Sequence, residues 1–262
     1  MPRFSANIDF LFREHPFLDR LKAARQAGFA GVEMPSPYGV SLDEMDAARR
    51  AAGVEIIEFN IPTGDLMSGG YGLAGVPGRE KEFEAAVEIG REWALRLDCR
   101  RLNVLAGFQV PWASRDDALA TYVRNLAYAA DRLAADGIGV LVEACNRRER
   151  PGYLLGTSNE ALNAVQRSGR VNVKVEHDLY HLQIAEGDLI DRMGKVLDFI
   201  GHIQFADAPG RHEPGTGELN YPGIFAAIDR LGFDGWCGAE YHPTTARTED
   251  SLGWFAPYRQ QQ

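Results

Sequence analysis

The stretch GVLVEA, residues 139–144, is a short apolar and β-branched run that carries Glu143 near its carboxyl end. Three other runs of this kind end near an oxygen-bearing side chain, and these side chains are Asp178, Gln204 and Glu240. The four residues lie 35, 26 and 36 positions apart, which is roughly the length of one strand-plus-helix unit. Because a closed parallel barrel gathers the carboxyl ends of its strands on one rim, the spacing predicts that the four side chains meet.

Runs that suit strands alternate along the whole chain with stretches that suit helices. This order is typical of repeated βα units and a parallel sheet. Eight such runs occur, and eight units close a barrel. We therefore predict an α/β fold, a (β/α)8 TIM barrel that forms a single domain over residues 1–262. The predicted strands are Arg3–Asn7, Gly31–Met34, Val54–Ile61, Arg101–Leu105, Gly139–Ala144, Val171–Asp178, His202–Ala206 and Trp236–Tyr241.

Two of the intervening stretches have apolar residues at helical spacing, which predicts amphipathic helices that lie on the sheet. An open doubly wound sheet is disfavoured, because Asn7–His15 contains no glycine where a dinucleotide-binding fold needs a glycine-rich turn. The helical positions are Phe83, Val87, Gly90, Ala94 and Leu97 in the first stretch and Leu119, Tyr122, Leu126, Ala130 and Leu133 in the second.

The composition favours one large core and a small ligand. The chain has 262 residues, of which 45% are hydrophobic. A net charge of −9 and a pI near 5.2 argue against nucleic-acid and anionic-membrane partners, because phosphate binding usually requires a basic face. Nothing in the sequence looks like a membrane span or a targeting segment. Cys99, Cys145 and Cys237 lack C-x-x-C spacing, so we expect reduced, buried thiols in a cytoplasmic protein.

Alternate residues of a strand point the same way, so only one set can face the barrel axis. Glu143 shares its set with Leu141, and Gln204 shares its set with His202. In the last run Glu240 shares its set with Gly238. Each candidate residue also lies toward the carboxyl end of its strand, where barrel enzymes carry out their chemistry.

The four oxygen-bearing side chains together predict a metal site. Glu143 and Glu240 both follow apolar or small residues, which indicates burial. Buried carboxylates repel one another and tend to stay protonated unless a cation lies between them. All-oxygen ligands suit Mg²⁺ or Mn²⁺, and the amide of Gln204 in place of an imidazole argues against zinc. For any one of these residues, a helix cap or a surface charge is the simpler interpretation, so the prediction depends on the set.

Five stretches carry a family resemblance across nearly the whole chain. They are SAN (5–7), GVLVEACN with its preceding Ile (138–146), HDLYH (177–181), GHIQFADAPGRHEPGTGELNYPGIF (201–225) and GFDGWCGAEYHP (232–243). With them the chain resembles the hydroxypyruvate isomerase family, which belongs to the xylose-isomerase-like barrels. The long segment from residue 201 is the most specific part. One departure is Ala144-Cys145, where the family pattern has a Pro-Ile-like pair after the glutamate.

The resemblance implies site residues as well as a fold. It implies that Glu143 and Glu240 are the catalytic acid/base pair and that His181 binds substrate. It also implies that the divalent metal is held by Glu143, Asp178, Gln204 and Glu240, the same four residues that the spacing selects.

A pair of glutamates and a cation suit proton transfer next to a carbonyl group. The implied reaction is an aldose–ketose type isomerisation of hydroxypyruvate to tartronate semialdehyde (2-hydroxy-3-oxopropanoate) through an enediolate. The substrate is then a small hydroxy-carbonyl acid. A 2-oxo-tetronate isomerase and a ketose 3-epimerase are alternatives within the same chemistry. From other classes, a metal-dependent barrel endonuclease generally needs more histidine ligands and a basic groove, and a noncatalytic sugar-acid binding barrel needs no paired glutamates.

Two further features bear on substrate binding. We expect Arg211, in the Gly/Pro-rich loop after the seventh strand, to pair with the substrate carboxylate, because a guanidinium matches two oxygens. A surface salt bridge is the alternative for Arg211. The segment Thr63–Gly78 contains six glycines and follows the third strand, so it is either a lid over the substrate or a surface loop. Assembly into a homo-oligomer is left open.

Overall fold

Eight parallel strands form a closed barrel in which each strand neighbours the next along the chain. The structure is a computed structural model, and it describes residues 1–259. Strand β8 closes the barrel on β1, with Trp236 opposite Arg3. The predicted TIM barrel is confirmed. The strands are β1 Arg3–Asn7, β2 Gly31–Met34, β3 Glu55–Asn60, β4 Arg101–Asn103, β5 Gly139–Glu143, β6 Val173–Asp178, β7 Ile200–Phe205 and β8 Trp236–Ala239.

The ends of six strands differ from the predicted ends. Strand β7 begins at Ile200, two residues before the predicted start, and β8 ends at Ala239, so Glu240 lies directly after the strand. The other differences are overextensions, because apolar character continues into loops after the ladder hydrogen bonds stop. The predicted strand residues that lie outside strands are Val54, Ile61, Val104, Leu105, Ala144, Val171, Asn172, Ala206, Glu240 and Tyr241.

Helices surround the barrel, and both helices predicted from apolar spacing are confirmed as α3 and α4. Helix α2 shows how the sequence starts a helix: the Ser41 hydroxyl accepts the Glu44 N–H at 3.3 Å, and the Glu44 carboxylate accepts the Ser41 N–H at 3.0 Å. The α-helices are α1 Asp19–Ala27, α2 Leu42–Ala52, α3 Glu80–Leu97, α4 Arg115–Ala134, α5 Ser158–Ser168, α6 Leu179–Ala185, α7 Leu189–Val196 and α8 Tyr221–Leu231, with 3-10 helices at Leu66–Ser68, Leu197–Phe199 and Thr248–Phe255.

The barrel interior contains the inward-facing set that the alternation predicts. His202 and Gln204 of β7 both hydrogen-bond to Glu33 of β2 inside the barrel. A Cβ atom on Gly238 of β8 would lie 2.2 Å from both carboxylate oxygens of Glu33. Glycine at position 238 therefore leaves the space that the Glu33 carboxylate occupies, and the middle of the barrel is polar as well as closely packed.

The carboxyl-terminal 3-10 helix is tied to the barrel by aromatic packing. The Phe4 ring of β1 meets the rings of Trp254 and Phe255 with centroids 5.3 and 6.0 Å apart. The ring of Phe225 in α8 lies 4.9 Å from the Phe4 ring. The three cysteines are free and buried, in agreement with their predicted role as core thiols. Among residues 1–259, no helix has both the length and the apolar character that crossing a bilayer requires.

The glycine-rich segment at residues 63–78 is anchored to the barrel rim. Asp65 accepts hydrogen bonds from the Gly72 N–H and from Arg79, each at 3.0 Å. The Tyr71 carbonyl accepts the Phe108 N–H at 3.0 Å. Met67 is 63% exposed, and its side chain also lines the cavity at the rim. The segment is thus a fixed loop with one side chain at the cavity, and its role as a lid stays a prediction.

Candidate active site

A cavity of about 80 Å³ opens at the carboxyl end of the barrel. Three of the four candidate metal ligands line it, namely Glu143 from the end of β5, Gln204 from β7 and Glu240 from just after β8. His181 and Arg211 line the same cavity, so the chain brings these distant residues together. The lining residues are Asn7, Phe10, Pro35, Glu58, Asn60, Met67, Asn103, Leu105, Glu143, Cys145, Arg150, Glu176, His181, Gln204, Arg211 and Glu240.

Asp178, the fourth candidate, is a helix cap and also a neighbour of the cavity residues. Its Oδ1 accepts the N–H groups of Tyr180 at 2.7 Å and His181 at 3.1 Å, which starts α6. Its Oδ2 lies 3.7 Å from His181 Nε2 and 3.4 Å from the Arg211 guanidinium. The two oxygens therefore have different surroundings: Oδ1 caps α6, Oδ2 lies beside His181 and Arg211, and the metal-ligand role of Asp178 stays a prediction.

The hydrogen bonds of His181 determine which ring nitrogen carries its proton. Asn146 accepts the Glu149 N–H with its carbonyl oxygen at 2.9 Å, and its amide nitrogen lies 3.2 Å from the Glu149 carboxylate. That amide nitrogen also donates to His181 Nδ1 at 2.8 Å, so Nδ1 is an acceptor. Burial lowers the pKa of His181, and the ring is neutral with its proton on Nε2. Nε2 lies 3.6 Å from Glu143, so this N–H faces the acid groups of the site.

Arg211 forms a buried ion pair with the acids of the site. Its guanidinium donates to Glu240 and lies 3.4 Å from Asp178. The same group lies over the rings of Phe10 and Tyr180, at 4.9 and 5.1 Å from the ring centroids. Burial alone would lower the pKa of Arg211, but Glu240 and Asp178 raise it above its ordinary value. The surface salt bridge weighed for Arg211 is wrong, because its side chain is only 13% exposed; carboxylate binding stays a prediction.

The protonation of Glu240 is strongly affected by its surroundings. Burial raises its pKa to about 8, against the opposing effect of Arg211, and the charges of Asp178 and Glu143 raise it further. Its Oε1 accepts a hydrogen bond from the Asn7 amide at 3.3 Å. A carboxyl group with a pKa near neutrality is well matched to giving and taking a proton.

The floor of the cavity contains acids that the sequence reasoning missed. Glu58 of β3 and Glu176 of β6 line the cavity, and both are buried. Burial, together with the neighbouring carboxylates, raises the pKa of each well above its ordinary value. Glu176 precedes Asp178 by two residues, so strand alternation places both on the inward face. That signal was available, but the sequence reasoning considered only the last residues of the strands.

Glu33, also missed, sets the orientation of Gln204. The Glu33 carboxylate accepts hydrogen bonds from Ser5 at 2.7 Å, His202 at 2.9 Å and Gln204 Nε2 at 3.0 Å. Burial alone would raise the pKa of Glu33, but His202 and these hydrogen bonds hold it below its ordinary value. An ionised carboxylate only accepts hydrogen bonds, so the Gln204 nitrogen must face Glu33. Within residues 1–259 the Gln204 oxygen accepts no hydrogen bond, so it is available to a ligand.

Three buried acceptor oxygens at the cavity have no hydrogen-bond partner among the described residues, as a cation site would leave them. Within residues 1–259, Glu58 Oε2, Glu176 Oε2 and Asn103 Oδ1 are buried and have no hydrogen-bond partner. These unpartnered oxygens and the carboxylates above them suit a hard divalent cation. Two buried groups of candidate ligands have their atoms within 4.8 Å of one another, and an exposed third group also does. The groups are Glu143, Cys145 and His181; Glu33, Glu58 and His202; and the exposed Glu14, His15 and Glu249.

Among these three groups of candidate ligands, Glu143 is the one residue that also belongs to the predicted ligand set. Asp178 and Glu240 lie in none of the three groups, which consist only of His, Cys, Asp and Glu side chains. Asp178 and Glu240 are instead bridged by the guanidinium of Arg211. Ligation by the predicted four residues therefore stays a prediction, although they converge on one end of the barrel.

Comparisons with known proteins agree with this architecture. The xylose isomerase-like TIM barrel family model matches residues 21–258. A 2-oxo-tetronate isomerase of Cupriavidus necator is 43% identical over 98% of this chain and 99% of its own. The hydroxypyruvate isomerase of Escherichia coli (strain K12) is 40% identical over 99% of this chain and 100% of its own. A crystal structure described as AP endonuclease, family 2, from Brucella melitensis is 44% identical, with a TM-score of 0.95 over 99% of this chain and 100% of that one. The chain belongs to the xylose isomerase-like TIM barrel family.

Proposed function

We propose that the protein is an isomerase that interconverts hydroxypyruvate and tartronate semialdehyde. One observation carries this proposal: Glu143 and Glu240 line a single small cavity together with the N–H of a neutral histidine, His181. Two acid/base groups beside one hydrogen-bond donor are what proton transfer next to a carbonyl group needs. The names of the isomerase relatives support the same chemistry.

In the proposed reaction, one glutamate removes a proton from the hydroxymethyl carbon of hydroxypyruvate, which leaves an enediolate. A proton then returns to the neighbouring carbon, which carried the keto group. The hydroxyl proton moves from the oxygen of the hydroxymethyl carbon to the former keto oxygen, so no atom is gained or lost. We propose Glu143 and Glu240 as the groups that take and return the proton, and each such group typically contributes about 10²- to 10⁴-fold to the rate. His181 donates its Nε2–H to a substrate oxygen, and Arg211 binds the substrate beside Glu240.

We further propose that Glu143, Asp178, Gln204 and Glu240 hold a divalent cation, Mg²⁺ or Mn²⁺. When bound, such a cation stabilises negative charge that develops on adjacent substrate oxygens. The free oxygen of Gln204 and the unpartnered acceptors at the floor of the cavity support this assignment. A bound cation would also balance the negative charge of these carboxylates, in addition to the arginines at the cavity.

The 2-oxo-tetronate isomerase reaction is the second candidate. The relative with that name is 43% identical, and its reported substrate class would need room for one more carbon. A cavity of about 80 Å³ has room for roughly five to eight water-sized groups, which suits a three- or four-carbon acid better than a six-carbon ketose. An endonuclease activity is not favoured despite the similarity to the Brucella melitensis protein, because the cavity is small, buried and acidic.

The function can be tested by following the reactions by proton NMR in deuterated water. The substrates are hydroxypyruvate, a 2-oxo-tetronate and a free ketose, each with added Mg²⁺ or Mn²⁺. We expect tartronate semialdehyde from hydroxypyruvate, with solvent deuterium at the carbon that receives the proton. Product that carries no deuterium would favour a hydride shift over a carboxylate base. A protein that binds these acids without turnover would instead be a noncatalytic binding barrel.

The remaining expectations complete the proposal. The residues 1–262 form one domain that acts on a small hydroxy-carbonyl acid, without a nucleic-acid or membrane partner. The three reduced and buried thiols support a cytoplasmic location.

A further inference from the structure

Arg150 is a guanidinium at the cavity that forms no close ion pair within residues 1–259 and interacts with the charge of Glu143 only at longer range. It lies in the loop after β5 and lines the cavity with Glu143 and Arg211. Its backbone is held in place, since its N–H donates to the Asn146 carbonyl and its carbonyl accepts the Tyr153 N–H, each at 3.1 Å. Within residues 1–259, however, its side chain has no hydrogen bond and no ion pair, although it is partly buried.

Two neighbouring arginines, in contrast to Arg150, have hydrogen-bond partners for their guanidinium groups. Arg147 in the same loop bonds to Glu160 and to two backbone carbonyls. Arg211 is paired with Glu240 and Asp178. Leaving a partly buried guanidinium unpaired is unfavourable unless an anion completes it. The guanidinium whose N–H groups remain available to a ligand is therefore that of Arg150, whereas Arg211 is already paired.

We infer that Arg150, in place of the already paired Arg211, binds the carboxylate of the substrate and thereby sets which end of the molecule faces the glutamates. The inference rests on the proposed function, because it names the charged group that distinguishes a hydroxy-carbonyl acid from a free ketose. A carboxylate fits the two parallel N–H groups of a guanidinium. Proton transfer requires the hydroxy-carbonyl end of the substrate to face Glu143 and Glu240, and this orientation leaves the carboxylate for Arg150 on the cavity wall.

The test compares an acid with its neutral counterpart. Dihydroxyacetone has a hydroxymethyl group where hydroxypyruvate has its carboxylate. For Arg150→Gln we expect kcat/KM for hydroxypyruvate to fall by about 30- to 1,000-fold, mainly through KM, because a charge-assisted pair is lost. Deuterium exchange into dihydroxyacetone should change by less than about threefold, since the neutral molecule makes no such pair. Arg150→Lys keeps the positive charge but not the two parallel N–H groups, so its kcat/KM for hydroxypyruvate should lie between those of the unmodified protein and Arg150→Gln.

The control is Arg148→Gln, which removes an exposed arginine of the same loop and should leave both rates unchanged. A binding measurement separates this inference from the proposed function. Calorimetric titration with glycerate, which has the carboxylate but no carbonyl group, should show binding to the unmodified protein and to Arg148→Gln but not to Arg150→Gln. If glycerate behaves in this way while hydroxypyruvate is never turned over, the inference holds and the proposed function fails.

Three results would overturn the inference while leaving the function in place. The first is an unchanged kcat/KM for hydroxypyruvate and an unchanged glycerate affinity in Arg150→Gln. The second is an equal loss for hydroxypyruvate and dihydroxyacetone, or a lowered Tm, which would make Arg150 a structural residue. The third is that Arg211→Gln, and not Arg150→Gln, selectively weakens glycerate binding, which would assign the carboxylate to Arg211.

Discussion

Replacing Gly238 with alanine should damage the centre of the barrel without touching the proposed catalytic residues. The new Cβ atom would lie 2.2 Å from both carboxylate oxygens of Glu33, so the carboxylate must move. Glu33 accepts three hydrogen bonds of 2.7 to 3.0 Å, from Ser5, His202 and Gln204. A displaced carboxylate cannot keep all three in a closely packed interior.

The expected loss follows from these contacts. A hydrogen bond to a charged group contributes about 1.5–3 kcal/mol, and overpacking a core costs about 1–3 kcal/mol. With one or two bonds of Glu33 broken, the free energy of unfolding should fall by about 3–5 kcal/mol. For a chain of this size each 1 kcal/mol shifts Tm by about 2–4 °C, so we expect Tm to fall by roughly 10 °C.

The assay is urea-induced unfolding followed by circular dichroism, with a check that the m value is unchanged. Gly39→Ala is the matched control, because a Cβ atom there meets nothing within 4 Å and needs no left-handed backbone. It should change stability by no more than about 0.5 kcal/mol. In a Glu33→Ala background the clash is gone, so adding Gly238→Ala should cost less than about 1 kcal/mol. An equal loss in both backgrounds would refute the steric reasoning.

Other predictions concern the site and the surface. Glu143→Gln and Glu240→Gln should each lower kcat for hydroxypyruvate by about 10²- to 10⁴-fold, and full activity in either variant would contradict its acid/base role. Removing divalent cations with EDTA should lower turnover, and Mg²⁺ or Mn²⁺ should restore it; activity that persists in EDTA would contradict the metal assignment. Three arginines hold the pKa of Asp46 well below its ordinary value of 3.8, so its stabilising effect is present above that pH and is lost as the pH falls further. Asp46→Asn should therefore destabilise the protein near pH 7 and progressively less below about pH 4. The control Asp43→Asn removes an exposed carboxylate and should have little effect on stability at either pH. A loss of stability in Asp46→Asn that does not depend on pH would contradict this explanation.

The fold was predictable because its information is local and repeated. Each βα unit has an apolar run followed by helical spacing, as at 101–105 and 119–133, and eight repeats leave few other architectures. Strand ends were less predictable, because an apolar residue such as Ile61 is buried whether or not it belongs to the sheet. Boundaries depend on which backbone groups find partners on the next strand, and that is a property of the closed barrel.

Part of the site was predictable for a related reason. Residues at the carboxyl ends of parallel strands must meet, so Glu143 and Glu240 could be placed together from spacing. Glu33, Glu58 and Glu176 were missed because a carboxylate inside a strand usually indicates a solvent-facing side. The tautomer of His181 could not have been predicted either, since it depends on contacts that only folding creates.

The three buried thiols can be used to measure local opening of the protein. Burial raises the pKa of Cys99 to about 12 and those of Cys145 and Cys237 above their ordinary value, so none is a reactive thiolate in the closed state. Alkylation at each position thus measures how often that part of the chain opens. Cys145 borders the cavity while Cys237 lies within β8. A small acid in the cavity should slow labelling at the first position more than at the second, and the ratio of the two rates separates local gating from opening of the whole barrel.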